Sequence, residues 1–238
     1  MKAKKPKIIC LMILFVTVLS SPLGHAKYPT SEDLRTKYPN IEEDAQRPEK
    51  KEILCPFWRL IERSGTLDAI NTSKNSDVVI SIRKLVAKAT EFGCKWIECG
   101  AVATLVSGGQ MTHPGTTRLF SVNISQLHKA KGVAHECGFT FEKGGKKVSN
   151  AKRTQTLSRL KKIADKNSAS GTLSKEDLMS VKLQICKEQG VIITKAGSVE
   201  VGLIYSFLGG KDRGFIEYDD VVRFFHAQMP LTKSIDKI

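Results

Sequence analysis

The sequence predicts an all-α fold, a single helical domain behind a cleaved signal peptide. Three observations predict it. Apolar residues recur at three- and four-residue spacing along most of the chain after residue 53. No stretch of useful length alternates at period two, and no internal repeat or low-complexity tract breaks the pattern. Apolar residues make up 41% and charged residues 26% of 238, ordinary globular proportions that support one sizeable core and argue against wholesale disorder.

Residues 1–26 have the parts of a secretory signal. They carry Lys2, Lys4, Lys5 and Lys7 and no acid, then an apolar run over 8–19, then Gly24-His25-Ala26 before Lys27. That run is short of the roughly 20 residues a membrane-spanning helix needs. Cleavage there predicts a secreted or otherwise extracytoplasmic chain with no membrane partner; a retained anchor is the alternative. Losing four lysines lowers the net charge from +14 to +10. Residues 27–52 are polar and Pro-bearing, which predicts an extended leader on the surface. The helical domain is expected over 53–238.

Within that domain, Ile80, Ile82, Leu85, Val86 and Ala89 set a helical period over 78–92. A second apolar stretch, 101–106, meets a stop at Ser107-Gly108-Gly109, and 123–131 predicts a short helix. Helices are further expected over 154–165, 174–189, 197–208 and 217–228. Ser174 stands three before Asp177, a capping-box spacing, and Glu217, Asp219 and Asp220 open the last helix. The basic run 143–152 carries no nucleic-acid motif and predicts a solvated loop, so nucleic acid is not an expected partner.

With Cys10 in the signal, Cys55, Cys94, Cys99, Cys137 and Cys186 remain, an odd number. In an exported chain that points to paired thiols plus one left over as a reactive group, a metal ligand or an intermolecular link. Cys94 and Cys99 are five apart, a separation suited to a local bridge and poor for a zinc half-site. Cys137 and Cys186 are then the remaining pair by elimination, and their pairing stays open. Cys55 precedes Pro56 in CPFWRLIERSG, which puts it at a helix start with Gly65 as terminator. There the unsatisfied N–H groups favour thiolate over thiol, so Cys55 is a candidate nucleophile or metal ligand. A half-cystine before a proline is the competing reading.

Glu200 lies in SVEVGLIYSFLGG, nearly all apolar, so its carboxylate is expected inside as a candidate acid or base. A glutamate that only caps the helix is the alternative. His135-Glu136 is not a zinc-protease motif, because Phe139 stands where the second histidine belongs. Asp165-Lys166-Asn167 with Gly171 and Glu176 departs from a calcium loop, with glycine one position late and Ala169 at position five; a solvated turn is expected.

Taken in order, these segments resemble the haem-thiolate peroxidases, the chloroperoxidase and aromatic peroxygenase family, over about residues 50–232. The family's CPxLNxLANHG is matched by Cys55, Pro56 and Gly65 at the same spacing. Its EHDxSxxR segment resembles KGVAHECGFTF at His135, with Glu136 for the aspartate, and its NVESGFIF resembles SVEVGLIY at Glu200 and Gly202. FIEYDDVVRFFHAQMP, ending at Pro230, is similar to its last apolar helix, and a short disulfide between its first two motifs looks like Cys94–Cys99.

The resemblance implies a haem pocket enclosed by the helices and a peroxidase or peroxygenase that uses hydrogen peroxide on small organic substrates or halide. Cys55 would be the axial thiolate on the iron of haem b, with Pro56, Phe57 and Leu203 beside the haem. Glu200 would be the distal acid–base group and His135 the residue that orients it. The family's metal-ligating glutamate and serine fall on Ala134 and Gly138, which leaves a magnesium or manganese site in doubt. Its Asn-His falls on Arg63-Ser64, so the thiolate surroundings differ. Two other functions compete. One is a secreted helical binding module that has lost haem; the other is a thiol-dependent protein using Cys55 as nucleophile, for which no base is specified.

Overall fold

A computed structural model describes residues 29–110, 120–130, 136–167 and 171–231. The expected signal peptide lies outside them. Among the described residues the chain is mostly helical, and no helix is long and apolar enough to cross a membrane.

The leader is not an extended strap. It holds helix α1 (Ser31–Lys37) and a 3₁₀ turn over Pro39–Ile41, and it sends Leu34 and Ile41 fully into the core. The cause is local: the Thr30 hydroxyl accepts from the Asp33 N–H, and the Asp33 carboxylate accepts from the Thr30 N–H, a complete capping box. The chain's other end locks onto this segment through Met229 N–H donating to Ile41 O at 3.0 Å.

Helix α2 (Pro56–Arg63) starts at Cys55 as expected and stops at Gly65, whose φ of +85° a side chain would strain. The expected helix over 78–92 divides. Val79–Ser81 forms β1, antiparallel to β2 (Ser121–Asn123) with Ile80 opposite Val122, and α3 covers Ile82–Glu91. Helix α4 (Trp96–Gln110) runs through the expected Ser107-Gly108-Gly109 stop. Gln110, fully buried, bonds the backbone of Asn123 in both directions, at 2.6 and 2.8 Å, and ties that end to β2. The helix expected over 123–131 is a 3₁₀ segment, Ile124–Lys129.

The second half holds α5 (Asn150–Asn167), β3 (Thr172–Leu173), α6 (Lys175–Glu188), α7 (Lys195–Phe207), α8 (Gly210–Arg213), β4 (Ile216–Glu217) and α9 (Tyr218–Phe225). β3 and β4 pair antiparallel, and the Ser174–Asp177 capping box opens α6 as expected. Helix α3 packs along α4, α5 against α6 and α9, α6 against α7, and α2 against α9. One cluster of buried apolar residues runs from Leu34 to Met229. Lys152, expected in a solvated loop, is buried on α5 and donates to Gln155. Asp165-Lys166-Asn167, expected in a solvated turn, are the last turn of α5 instead, where Asp165 pairs with Lys161 at 2.8 Å and Asn167 donates to Asp177 at 2.6 Å.

Candidate functional site

Helix α2 fixes Cys55. Arg59, fully buried one turn on, donates to the carbonyls of Ile53, Leu54 and Phe225 at 3.0 to 3.1 Å and lies 2.6 Å from the Glu49 carboxylate. Arg153 of α5 grips the same carboxylate at 2.7 Å and the same Phe225 carbonyl at 3.0 Å. Arg63 reaches the carbonyls of Arg47 and Ala45. These bonds bind the segment before Cys55, the leader and the end of α9 into one frame. Burial lowers the pKa of Arg59 to about 10 against the pull of Glu49, so it stays charged at neutral pH.

Cys55 is the unpaired thiol among the described residues, half-buried at the α2 N-cap. Its sulfur makes no capping bond of ordinary geometry, yet the backbone N–H groups of Trp58 and Phe57 lie near enough to favour the thiolate. Burial outweighs them and pushes the thiol's pKa up, and the nearby charge of Glu200 adds to that rise. The helix start therefore does not by itself produce the thiolate that the sequence suggested. A coordinated metal would, since it deprotonates a thiol outright.

Beside Cys55 opens a cavity of about 370 Å³ with overwhelmingly apolar walls. Pro56, Phe57 and Trp58 line it from α2, and Phe207 and Phe224 from α7 and α9. Phe57 meets Phe207 edge-on at 5.1 Å, and Phe207 stacks on Phe224 at 4.7 Å, so the lining is a continuous aromatic cluster. Glu200 and Leu203 of α7 line the same cavity. Cys55, Pro56, Phe57, Glu200 and Leu203, singled out from distant parts of the sequence, thus meet at one place.

Glu200 is not a helix cap. Thr194 caps α7 by accepting from Gly197 N–H at 3.2 Å, and Glu200 stands mid-helix. Its carboxylate pairs with Lys182 of α6, whose side chain is fully buried and sits with Nζ 4.9 Å from the centre of the Phe139 ring. Gly197 packs against this pair: a Cβ there would meet Lys182 Cε at an ordinary 3.5 Å and crowd Ile193 at 3.2 Å. Pairing with a buried lysine holds the carboxylate in one orientation.

Cys94 is bonded to Cys99 and Cys137 to Cys186. Cys94 and Cys99 also line the cavity, so the local bridge belongs to its wall. His135 and Ala134 lie outside the described residues. Glu136 is largely exposed and faces Lys143 at 4.0 Å, away from any acid–base task. A Cβ at Gly138 would stand 2.0 Å from the Phe141 ring, so no ligating side chain fits there. Among the described residues no group of three His, Cys, Asp or Glu is placed to hold a metal ion.

Three contributors went unnoticed in the sequence. Lys182 carried a signal, a lysine among Leu178, Val181 and Ile185 on the buried face of α6. Lys195, at the start of α7, and His128, whose ring nitrogens are buried, both line the cavity and had no motif to mark them. No protein-family model matches this chain, no curated protein is similar to it, and no solved structure matches its fold.

Proposed function

We propose that the chain is a haem-thiolate peroxidase or peroxygenase that uses hydrogen peroxide on small organic substrates. One observation carries the reading: a free cysteine at a helix start and a mid-helix carboxylate, far apart in sequence, line one apolar cavity. The residues suit the group. Backbone N–H groups beside Cys55 favour an anionic sulfur, as a ligating thiolate requires. Apolar and aromatic walls suit a macrocycle, and the volume lies within the ~300–1,000 Å³ of cofactor and ligand sites. Lys195, which also lines the cavity, would supply a cation to the haem's carboxylates.

Bound there, a thiolate-ligated haem supplies the electron push that favours O–O cleavage. Cys55 would hold the iron, with α2 and its arginine frame keeping the sulfur in place. Glu200, oriented by its pairing with Lys182, would take the proton from one peroxide oxygen and return it to the other. In this reading Lys182 does the orienting that the resemblance gives to His135. Phe57, Phe207 and Leu203 would exclude water and contact an apolar substrate. The apolar walls and the raised pKa of the Cys55 thiol also suit a second reading, a haem-free module binding apolar small molecules.

Reconstitution with haem separates the two. The reduced, carbon-monoxide-bound protein should show the red-shifted Soret band of thiolate ligation; Cys55→Ser should lose it and Cys94→Ser keep it. Protein that stays colourless supports the binding module. In haem-loaded protein, Glu200→Gln should slow peroxide consumption by about 10²–10⁴-fold at unchanged haem content.

A further inference from the structure

The mouth of the cavity differs from the rest of the surface. Helix α4 turns Ile97, Ala101 and Leu105 outward at four-residue spacing with Trp96 beside them, and the three large side chains are between 64% and 67% exposed. Helix α7 turns Val199 and Leu203 outward at the same spacing, and Ile192, 89% exposed, stands just before it. Leu105, Val199 and Leu203 also line the cavity, so both stripes run up to its rim. Scattered exposed apolar residues are ordinary, but adjoining stripes around a cavity mouth mark an interaction surface.

The charges around the stripes choose the occupant. Lys95 directly precedes Trp96, and Lys195 opens α7; both are exposed. Each apolar stripe therefore begins at a lysine, on a chain whose net charge is +14. A second copy docked face to face would bring these lysines toward their own copies, a repulsive arrangement. An anionic lipid surface meets them with opposite charge, and tryptophan and lysine flanking aliphatic side chains is the composition found at the headgroup level. At 15 residues α4 is roughly 22 Å long, too short to span a bilayer and suited to lying on one.

We infer that the α4–α7 face docks on an anionic lipid surface and that the cavity takes its apolar ligand directly from the lipid layer. The inference goes beyond the haem reading and stands whether or not haem binds. It also revises the expectation of no membrane partner, since that expectation concerned spanning segments and could not see which side chains α4 would leave outside.

The chain has two tryptophans, Trp58 on the cavity wall and Trp96 exposed, so the part of an emission change that Trp96→Phe removes reports docking of α4, and any remainder reports ligand entering beside Trp58. The full chain is titrated with phosphatidylglycerol vesicles and, separately, with phosphatidylcholine vesicles, read by co-sedimentation and tryptophan emission. The expected result is co-sedimentation with a blue shift on phosphatidylglycerol, weakened by salt. Trp96→Phe should lose most of the shift but still sediment. Ile97→Glu with Ala101→Glu, both outside the cavity lining, should weaken binding at least tenfold while circular dichroism stays unchanged. Lys95→Glu with Lys195→Glu should remove the preference for phosphatidylglycerol. Three results would overturn the inference: no binding to either vesicle, undiminished binding by the Ile97/Ala101 variant, or a lipid-free blue shift that tracks formation of a dimer.

Discussion

Helices α2 and α4 bring cysteine sulfur to the same cavity by opposite means. Seven of the eight residues of α2 are buried, and its two arginines go inward with the apolar side chains to satisfy backbone carbonyls from three other segments. Helix α4 carries no lysine or arginine, is apolar around most of its girth, and leaves Trp96, Ile97 and Leu105 in solvent. Directional bonds give α2 a single register, which the proposed role of Cys55 as an iron ligand would need. Apolar contact tolerates sliding and exchange of partner, which suits a wall that meets ligands or another surface. The cavity is thus rigid on the Cys55 side and adaptable on the side of its mouth.

The largest test of that contrast is Arg59→Met. Methionine keeps length and apolarity but leaves the carbonyls of Ile53, Leu54 and Phe225 without their donor and removes one of the two arginines from Glu49. Removing one partner from a buried ionic network costs about 3–5 kcal/mol. On α4, Leu105→Ala at an exposed position should stay within about 0.5 kcal/mol of wild type. Urea denaturation of both variants measures the gap, and comparable losses would show that α2 is held no more tightly than α4.

Much of this arrangement was legible in the sequence because it is local. Cys55-Pro56 with Gly65, Ser174 with Asp177, and the short Cys94–Cys99 separation each fix their geometry within a few residues, and each is found as expected. Thr30 likewise stands three before Asp33 at the start of α1, but a polar, Pro-bearing stretch lacks the apolar periodicity that marks a helix. What was hidden depends on distant partners. Val79 and Ile80 extend the helical pattern of α3, and only pairing with Val122 and Asn123 makes them a strand. Glu200 was legible as a carboxylate bound for the interior, but its lysine sits on another helix, and the exposure of α4 depends on what fails to pack against it.

The two disulfides sharpen the comparison at smaller scale. The Cys137–Cys186 bridge closes a separation of 49 residues and joins the segment before α5 to α6. Loop-closure entropy makes it worth about 4 kcal/mol. The Cys94–Cys99 bridge closes five residues at the start of α4 and is worth about 2 kcal/mol by the same relation. Replacing each pair by serine and comparing urea midpoints should give that order; the reverse would mean that α4 depends on its bridge for more than loop closure.

The smallest expected effect concerns the charged tether of the α3–α4 side. Glu91, in the last turn of α3, accepts from Lys37 and Tyr38 at the end of α1 and from Lys88 on its own helix. Burial raises its pKa, but those hydrogen bonds more than offset it and hold the carboxyl at about 2. A depressed carboxyl pKa stabilises the fold fully above the ordinary value near 4.5, and the gain is lost as pH falls through about 2. Lys37 stands mostly in solvent, so screening reduces the tether to about 1 kcal/mol. Glu91→Gln should therefore lie about 1 kcal/mol below wild type at pH 7, with the difference closing between pH 4.5 and pH 2. Urea midpoints for the two proteins across that range read it directly. A gap that stays constant to pH 2 would mean that glutamine costs the protein through packing, and that the α3–α4 side, like the exposed face of α4, is held by apolar contact without a working charge.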